Sequence, residues 1–350
     1  MDSVSLTVLE PGFYTTIQDM GRPGLRHAGL GAGGAMDSYA LCVANLLTGN
    51  EPQAAGLELT LSGPVLRAEQ DMLIALTGAD MEPRIVGGME LPMWRPVWLA
   101  AGTVFTLGRA AAGCRAYLAV AGGIHVPPQL GGRGTDVRVR IGGLSGRPLA
   151  AGDAIPCMAA GDGAPPAVAL EARLRQRVLA EGRRQAIAMA APRWFAPPRA
   201  YGGAGADGIV LRAMPGAESG QFSEAARTAL YREPFRVAPA SDRMGLRLSG
   251  PMLERTTRAE LLSHGVAPGT VQVPPGGSPI VLAADCQTTG GYPKIAQVAH
   301  VDLPLLAQAR PGATIRFQPI DLAEAQQLDL AREQELAQLA AGIKAAMSGL

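Results

Sequence analysis

The chain has 350 residues and a mass of 36.1 kDa, more than one hydrophobic core usually supports, which predicts two domains. Hydrophobic residues make up 47% of it and charged residues 17%, a composition that excludes disorder for most of the chain. The 31 Lys and Arg residues nearly balance the 30 Asp and Glu residues, with a net charge of +1 and no block of like charges. We therefore expect neither nucleic acid nor a membrane as a partner.

Three features of the sequence bear on the compartment. The apolar runs, such as residues 72–76 and 280–284, have the length of strands and fall well short of the ~20 residues of a bilayer span. The first eleven residues lack the basic and apolar pattern of a signal peptide, so a cytoplasmic location is expected. The cysteines are widely spaced, without C-x-x-C, which predicts reduced, buried thiols and neither a zinc site nor a disulfide framework. They are Cys42, Cys114, Cys157 and Cys286.

In chain order, the first polar segment is residues 15–22, Thr-Thr-Ile-Gln-Asp-Met-Gly-Arg. It is predicted to be a turn whose hydroxyls, amide, carboxylate and guanidinium suit a polar ligand that carries a carboxylate. The alternative is an internal pair between Asp19 and Arg22 that merely holds the loop.

A glycine-rich loop follows at residues 29–34, Gly-Leu-Gly-Ala-Gly-Gly. It fits G-x-G-x-x-G, but residues 21–27 before it have no strand pattern, so it lacks the context of a dinucleotide site. Two interpretations remain, a loop that places a helix N-terminus near an anionic group and a plain tight loop. The chain has no Gly-Lys dipeptide, which excludes a Walker A loop.

Short segments with strand patterns dominate the rest of the chain, separated by many of its 45 glycines and 28 prolines. Two of them form an internal repeat that we call the echo, because Leu-Thr-Leu-Ser-Gly-Pro-Val-Leu at residues 59–66 aligns without gaps with Leu-Arg-Leu-Ser-Gly-Pro-Met-Leu at residues 246–253. The echo predicts two related halves rich in strands, arranged as barrels or sandwiches. The predicted strands are residues 73–76, 84–86, 97–99, 115–120, 209–213, 236–238, 269–273, 280–284 and 295–301.

Three helices are predicted among these strands. The first runs from Asp37 to Leu47, the second lies near Pro166 to Met189 between the halves, and the last opens with the capping box Asp321-x-x-Glu324. The apolar stripe of the last helix is expected to dock on its own barrel or, alternatively, on another protomer. The predicted division is a first domain at 1–160, a helical and glycine-rich linker at 161–207, a second domain at 208–320 and a C-terminal helix at 321–350.

The densest polar cluster is the loop at residues 285–294, Asp-Cys-Gln-Thr-Thr-Gly-Gly-Tyr-Pro-Lys, which follows an apolar strand. Only Lys294 and Lys344 are lysines, so Lys294 stands out in a chain that otherwise uses arginine. It is predicted to supply a compact charge or, if partly desolvated, a base, with Asp285 orienting it. The alternative is a structural turn with a solvated lysine. Cys286 is a weaker candidate nucleophile, and the four histidines lack metal-ligand spacing.

Several blocks occur in an order that resembles the biotin-dependent carboxyltransferase family, also called the allophanate hydrolase subunit 2 or KipA-like family, which includes one component of bacterial 5-oxoprolinases. These blocks are Thr-Thr-Ile-Gln-Asp-x-Gly-Arg at 15–22, Ala-Asn-x-Leu-x-Gly-Asn at 44–50, Ala-Gly-Gly-Ile at 121–124, Ser-Asp-Arg-Met-Gly at 241–245, Gln-Val-Pro-Pro at 272–275 and Thr-Thr-Gly-Gly-Tyr-Pro-Lys at 288–294. The resemblance implies a mainly β fold with two cyclophilin-like β-barrel domains and a few peripheral helices.

The resemblance also implies partners and a reaction. A partner of the allophanate hydrolase subunit 1 type and a third 5-oxoprolinase subunit are expected to join this chain and open the lactam of 5-oxoproline to glutamate. ATP is expected to be used through that complex, and no covalent biotin is expected on this chain, which has no Met-Lys-Met sequence. Two alternatives stay open. One is carboxyl transfer from carboxybiotin to a urea-like amide, and the other is a KipA-like regulatory protein that binds a partner.

The candidate site residues fall into two groups. Lys294, Asp285 and Gln272 are predicted to be catalytic. Residues predicted to bind a small amide substrate are Arg22, Asp37, Asn45, Arg243, Thr288, Thr289, Gly290 and Gly291. The chain departs from the family pattern at Gly31, Gly33 and His264, the last standing where an acid is frequent. Because these positions lie in loops, the departures bear on the substrate more than on the fold.

Overall fold

A computed structural model of the chain describes residues 4–157, 165–181, 188–198, 208–257 and 261–349. The chain divides into two compact units. The first comprises Met1–Gly21, Ser38–Arg199 and Glu335–Leu350, and the second comprises Arg22–Asp37 and Ala200–Gln334. Each unit is therefore discontinuous in sequence. The four-part division made from the sequence stays a prediction, to which the structure adds that residues 22–37 pack with the second half of the chain.

The first unit is built from two antiparallel sheets. Its strands are β1 (Val4–Glu10), β2 (Tyr14–Gln18), β3 (Gly56–Thr60), β4 (Val65–Ala68), β5 (Met72–Asp80), β6 (Arg84–Ile85), β7 (Pro96–Leu99), β8 (Val104–Thr106), β9 (Ala112–Val120), β10 (Ala154–Cys157) and β11 (Met189–Ala190). One sheet has the order β10-β1-β4-β8-β6 and the other the order β11-β7-β5-β9-β3-β2. Leu6, Leu57, Leu66, Ile74 and Phe105 are among the fully buried side chains of its core.

The second unit contains a closed seven-stranded barrel. The strands of this unit are β12 (Ile209–Pro215), β13 (Phe235–Val237), β14 (Gly245–Ser249), β15 (His264–Gly265), β16 (Thr270–Gln272), β17 (Ile280–Leu282), β18 (Thr289–Gly290), β19 (Lys294–Val298) and β20 (Thr314–Pro319). Of these, β15 and β18 form a separate two-stranded sheet. The barrel order is β12-β19-β16-β17-β14-β13-β20, and a parallel pairing of β12 with β20 closes it. Along β12 the buried Ile209, Leu211 and Ala213 alternate with more exposed residues, as expected for a strand with one face in the core.

The described residues also form α-helices between and after these strands. They are α1 (Ser38–Leu47), α2 (Pro165–Glu181), α3 (Glu224–Arg232), α4 (Leu303–Ala307) and α5 (Leu322–Ser348). One of the two hydrogen bonds of the predicted capping box is present at the start of α5, where the Asp321 carboxylate accepts a hydrogen bond of 2.8 Å from the backbone N–H of Glu324. Within the part of the chain that the structure describes, no helix combines the length and hydropathy needed to cross a bilayer.

The mainly β architecture with a few helices is confirmed, and each predicted strand overlaps an observed one. Some local predictions are wrong. Residues 15–18 belong to β2, which pairs with β3, and are not a turn, because their side chains are buried in the sheet. The second helix ends at Glu181, and Met189 begins β11. Residues 202–207 of the predicted glycine-rich linker lie outside the described residues.

Candidate functional site

The site is centred on Lys294, the first residue of β19. The register of the barrel places Lys294 opposite Gln272 at the end of β16, where a bulge shifts the pairing. Only 5% of the Lys294 side chain is exposed. A single strand could leave a terminal lysine in solvent, but here neighbouring segments cover it. The interpretation of Lys294 as a solvated turn residue is therefore wrong.

Glu218 faces Lys294 from the segment that follows β12. One Glu218 carboxylate oxygen, Oε2, accepts a hydrogen bond of 2.9 Å from the backbone N–H of Lys294 and lies 3.9 Å from its Nζ. The backbone N–H of Glu218 donates in turn to the Lys294 carbonyl at 3.2 Å. The carboxylate is thus held by the backbone of the residue whose amine it faces.

Gly216 makes this approach possible. A Cβ at residue 216 would lie 2.3 Å from the Lys294 carbonyl oxygen and 2.8 Å from the backbone nitrogen of Ala296. Both atoms belong to a barrel strand that has little freedom to retreat. Only glycine lets the segment after β12 run this close to β19.

Gly216→Ala is expected to lower the free energy of unfolding by about 1–3 kcal/mol, the range for overpacking a tight site. The matched control is Gly220→Ala, because a Cβ there would meet no atom within 4 Å. Urea denaturation of both variants measures the difference. Equal stabilities for the two variants would contradict the close approach at Gly216.

His264 completes the cluster from a short two-stranded ribbon in which β15 pairs with β18 and His264 lies opposite Gly290. The His264 Nε2 atom lies 3.0 Å from Oε1 of Glu218 and also makes a short contact with Nζ of Lys294. The Lys294 Nζ donates a further hydrogen bond of 3.1 Å to the Gly290 carbonyl. Since 45% of the His264 side chain is exposed, the imidazole lies between the buried amine and solvent.

The environment of Lys294 favours its neutral form. Burial lowers the pKa of the Lys294 amine below its ordinary value of 10.5, and the Glu218 carboxylate opposes part of that shift. The folded chain therefore binds fewer protons at this site than the unfolded chain does. The charged amine is penalised at pH values below its folded pKa, and stability rises with pH from there toward 10.5.

Two side-chain amides border the lysine. The Gln272 Nε2 donates to the Tyr292 carbonyl at 3.3 Å, and its Oε1 accepts a hydrogen bond of 3.3 Å from Gln287 Nε2. Gly290 passes close by, because a Cβ there would lie 2.5 Å from Gln272 Nε2. Gln272 and Gly290 therefore lie next to Lys294, as the sequence predicted, and Gln272 also holds the loop that leads into β19.

Asp285 does not orient Lys294, contrary to the prediction. Its carboxylate forms a two-point ion pair with Arg243, with distances of 2.8 Å from Nε and 2.9 Å from Nη2. The Arg243 Nη2 also donates to the Gly34 carbonyl at 2.6 Å. The side chains are 8% and 12% exposed, so the guanidinium and the carboxylate neutralise each other in a largely buried position. The carboxylate that faces Lys294 is Glu218.

The glycine-rich loop packs against the polar loop. A Cβ at Gly31 would lie 2.9 Å from the Cys286 carbonyl, and Arg26 donates a hydrogen bond to the Val266 carbonyl. This close packing on the protein's own backbone supports the interpretation as a tight loop. Two predicted substrate-binding residues flank it. Arg22 is buried and its backbone N–H donates to the Ala32 carbonyl, while Asp37 accepts a hydrogen bond of 2.8 Å from Gln308.

Asn45 lies in the first unit and has a structural role. Its Nδ2 donates to the carbonyls of Pro52 and Ala54, and its Oδ1 accepts from Asn50. With both amide hydrogens and the oxygen engaged, this side chain holds the loop after α1. The sequence could not show this, because the carbonyl partners have no side-chain signature.

The remaining predicted binding residues lie on β18 of the two-stranded ribbon or directly beside it in the chain. Thr288 accepts a hydrogen bond from the backbone N–H of Val266 through its carbonyl, and Thr289 is exposed on β18. Gly291 lies beside Ser263, since a Cβ at residue 291 would be 3.3 Å from the Ser263 hydroxyl. These residues border the His264 side of the cluster.

Cys286 does not have the environment of a nucleophile. It is buried, as the other three free cysteines are, and burial raises the pKa of its thiol. Among the residues that the structure describes, no three His, Cys, Asp or Glu side chains form a group that could hold a metal ion.

Sequence reasoning missed Glu218, Gly216 and the role of His264. A signal for the first two was present, because Pro-Gly-Ala-Glu at residues 215–218 directly follows a predicted strand. The sequence indicated only that His264 lacks metal-ligand spacing and stands where the family often has an acid, because its pairing with Gly290 depends on a long-range ribbon. A barrel strand that begins with a buried lysine, flanked by a carboxylate and an imidazole, has the groups that acid–base chemistry requires.

Comparison with known proteins assigns the family. A family described as "Carboxyltransferase domain, subdomain A and B" matches residues 28–319. The chain belongs to this family. It is 42% identical over 320 residues to the C component of the 5-oxoprolinase of Escherichia coli (strain K12), an alignment that covers 91% of this chain and 93% of that protein.

Two fungal proteins are also similar. Urea amidolyase of Lachancea kluyveri is 29% identical over 339 residues, which cover 92% of this chain and 17% of that protein. The solved structure of Kluyveromyces lactis urea carboxylase superposes with a TM-score of 0.83 at 25% identity, over 97% of this chain and 29% of that one. The chain therefore corresponds to one part of these longer enzymes.

Proposed function

We propose that this chain is one component of an ATP-dependent complex that opens the lactam of 5-oxoproline to glutamate. The observation that carries the proposal is the 42% identity to a named 5-oxoprolinase component, over nearly the full length of both proteins. The buried lysine of the second unit supports it, because ring opening requires proton transfers at a water-poor site. The other components of the complex are a partner of the allophanate hydrolase subunit 1 type and a third 5-oxoprolinase subunit. The complex consumes ATP as a co-substrate.

The chemistry assigns a task to each part of the site. A lactam carbonyl is inert until it is activated, and water must then add across its C–N bond. The neutral Lys294 amine takes a proton from the attacking oxygen, and the ammonium so formed stabilises negative charge that develops nearby. The Gly290 carbonyl fixes the position of the amine, and Gln272, opposite Lys294 in the barrel, holds the loop that leads into β19. Thr288, Thr289 and Gly291 border the place where the small amide substrate binds.

The isolated chain is expected to show no ATP-dependent opening of 5-oxoproline, and turnover is expected to appear when the two partner proteins are added. The reason is that the chain has no Walker A sequence and its glycine-rich loop packs on its own polar loop. The measurement is glutamate and ADP release by the purified chain, by the partner proteins without it and by the mixture. Turnover by the chain alone would contradict the proposal, as would a mixture no faster than the partner proteins without this chain.

Carboxyl transfer from carboxybiotin to a urea-like amide is the second candidate. It is favoured by the carboxyltransferase family and by the likeness to urea carboxylase. Any biotin would arrive on another chain, so an avidin blot of the purified protein is expected to be negative. Biotin-dependent carboxylation of urea by the reconstituted complex, without glutamate release from 5-oxoproline, would favour this candidate over the first.

A further inference from the structure

The contacts of Lys294 limit where the protons of the Lys294, His264 and Glu218 side chains can be. His264 Nε2 touches both the Lys294 amine and the Glu218 carboxylate, yet a ring nitrogen either carries a hydrogen or offers a lone pair. If Nε2 carries the hydrogen, it donates to Glu218 and the neighbouring amine is best neutral. If Nε2 offers its lone pair, it accepts from the Lys294 ammonium. The two arrangements exclude each other.

We propose that His264 is a positioning residue that relays a proton between Lys294 and solvent, with Glu218 selecting the ring tautomer that leaves the amine neutral. The proton relay itself does not depend on the proposed function. Only the reaction that the relay would serve rests on it. The geometry of three side chains carries it. Only 5% of the Lys294 side chain is exposed, whereas 45% of the His264 side chain is exposed and its ring contacts the Lys294 amine directly.

The proton steps balance. The Lys294 ammonium donates a proton to the free Nε2 of a neutral His264 that carries hydrogen on Nδ1. The imidazolium then releases its Nδ1 hydrogen to water, and the ring is left with hydrogen on Nε2. That hydrogen is donated to Oε1 of Glu218, 3.0 Å away, and the amine is neutral. Run in reverse, the same steps reload the amine after it has given up a proton.

The surroundings leave His264 free for this exchange. Its Nδ1 has no hydrogen-bond partner among the described residues, so it can meet water. Glu218 and His264 are the titratable side chains that the described structure places against the Lys294 amine. Asp285, the acidic residue of the polar loop, forms an ion pair with Arg243 from the segment before β14. Across the pair of short strands, His264 meets Gly290, which carries no charge.

The test uses the fact that the chain has two lysines. The full chain is labelled with carbon-13 at lysine Cε, and its spectrum is followed from below the histidine range to above the lysine range. Exposed Lys344 on α5 is the internal reference. The Lys294 signal is expected to change in two steps, because coupled groups share their macroscopic transitions.

Two variants probe the coupling from opposite ends. His264→Gln is expected to abolish the lower step and to raise the upper Lys294 midpoint by about one pH unit or more, since Glu218 then faces the ammonium alone. Lys294→Met is expected to remove the two-step signal, which assigns that signal to Lys294. The control is His300→Gln, which changes an exposed histidine paired with Asp329 and is expected to leave Lys294 unchanged.

A single Lys294 midpoint that equals that of Lys344 would overturn the relay. So would a His264→Gln variant that is folded, by its melting curve, and keeps the two Lys294 steps. Because the titration needs neither partner proteins nor substrate, its result is independent of the proposed reaction. Loss of coupling together with normal 5-oxoproline turnover defeats the relay alone, and intact coupling in a complex without turnover defeats the reaction alone.

Discussion

Lys294→Met is expected to lower the turnover of the reconstituted complex by roughly two to four orders of magnitude, the range for a lost acid–base or oxyanion-stabilising group. Methionine has a similar length and no charge, so it fills the buried position without the amine. The melting temperature is expected to change little, because the cost of burying the amine offsets its favourable contacts with the Gly290 carbonyl and the Glu218 carboxylate. Steady-state turnover at saturating 5-oxoproline and ATP measures the effect.

Two further variants bracket this result. Lys294→Arg keeps a positive charge but cannot act as a base near neutral pH, so it is expected to be as slow as Lys294→Met. Lys344→Met removes the other lysine, which is exposed on α5, and is expected to have normal turnover. If Lys294→Arg turned over at the wild-type rate, a titrating amine would have no part in the mechanism. The candidates would then be Arg22 and the loop from Gly29 to Asp37.

Asp285→Asn is expected to lower the free energy of unfolding by about 3–5 kcal/mol, the range for neutralising one partner of a buried ion pair. The Arg243 guanidinium would remain in a position where 8% of its side chain is exposed. Turnover is expected to fall as well, because this pair holds the loop that leads to Lys294 and reaches the Gly34 carbonyl. Urea denaturation followed by circular dichroism gives the stability.

The matched control is a surface ion pair. Arg84 and Glu90 lie 3.3 Å apart with 47% and 77% of their side chains exposed, so Glu90→Gln is expected to cost less than about 1 kcal/mol. A similarly small loss for Asp285→Asn would mean that the pair with Arg243 is solvated in solution. Full stability together with a large loss of turnover would return Asp285 to the catalytic role predicted from the sequence.

The elements that the sequence predicted correctly carry their signal within a few residues. The strand at 115–120 and the helix from Asp37 to Leu47 were found because alternation and helical spacing are local properties. The segment at 15–18 was missed as a strand because its hydroxyls and amide resemble a turn. Those polar groups are buried by pairing with β3, a partner about forty residues away in the chain that no local pattern indicates.

For the candidate site, the sequence by itself singled out Lys294 as a candidate and placed it after a polar loop at the end of a strand. It also determined the family, because the motif blocks survive in order. Only the tertiary structure decided the partners of the lysine. Glu218 and His264 lie 76 and 30 residues from it, and they reach it because barrel closure sets the register of β12 on β19 and the β15–β18 ribbon covers the strand end. Asp285 is nearer to Lys294 in sequence, but its carboxylate accepts two hydrogen bonds from Arg243. The acidic residue closest to the lysine along the chain is therefore not the one that faces its amine.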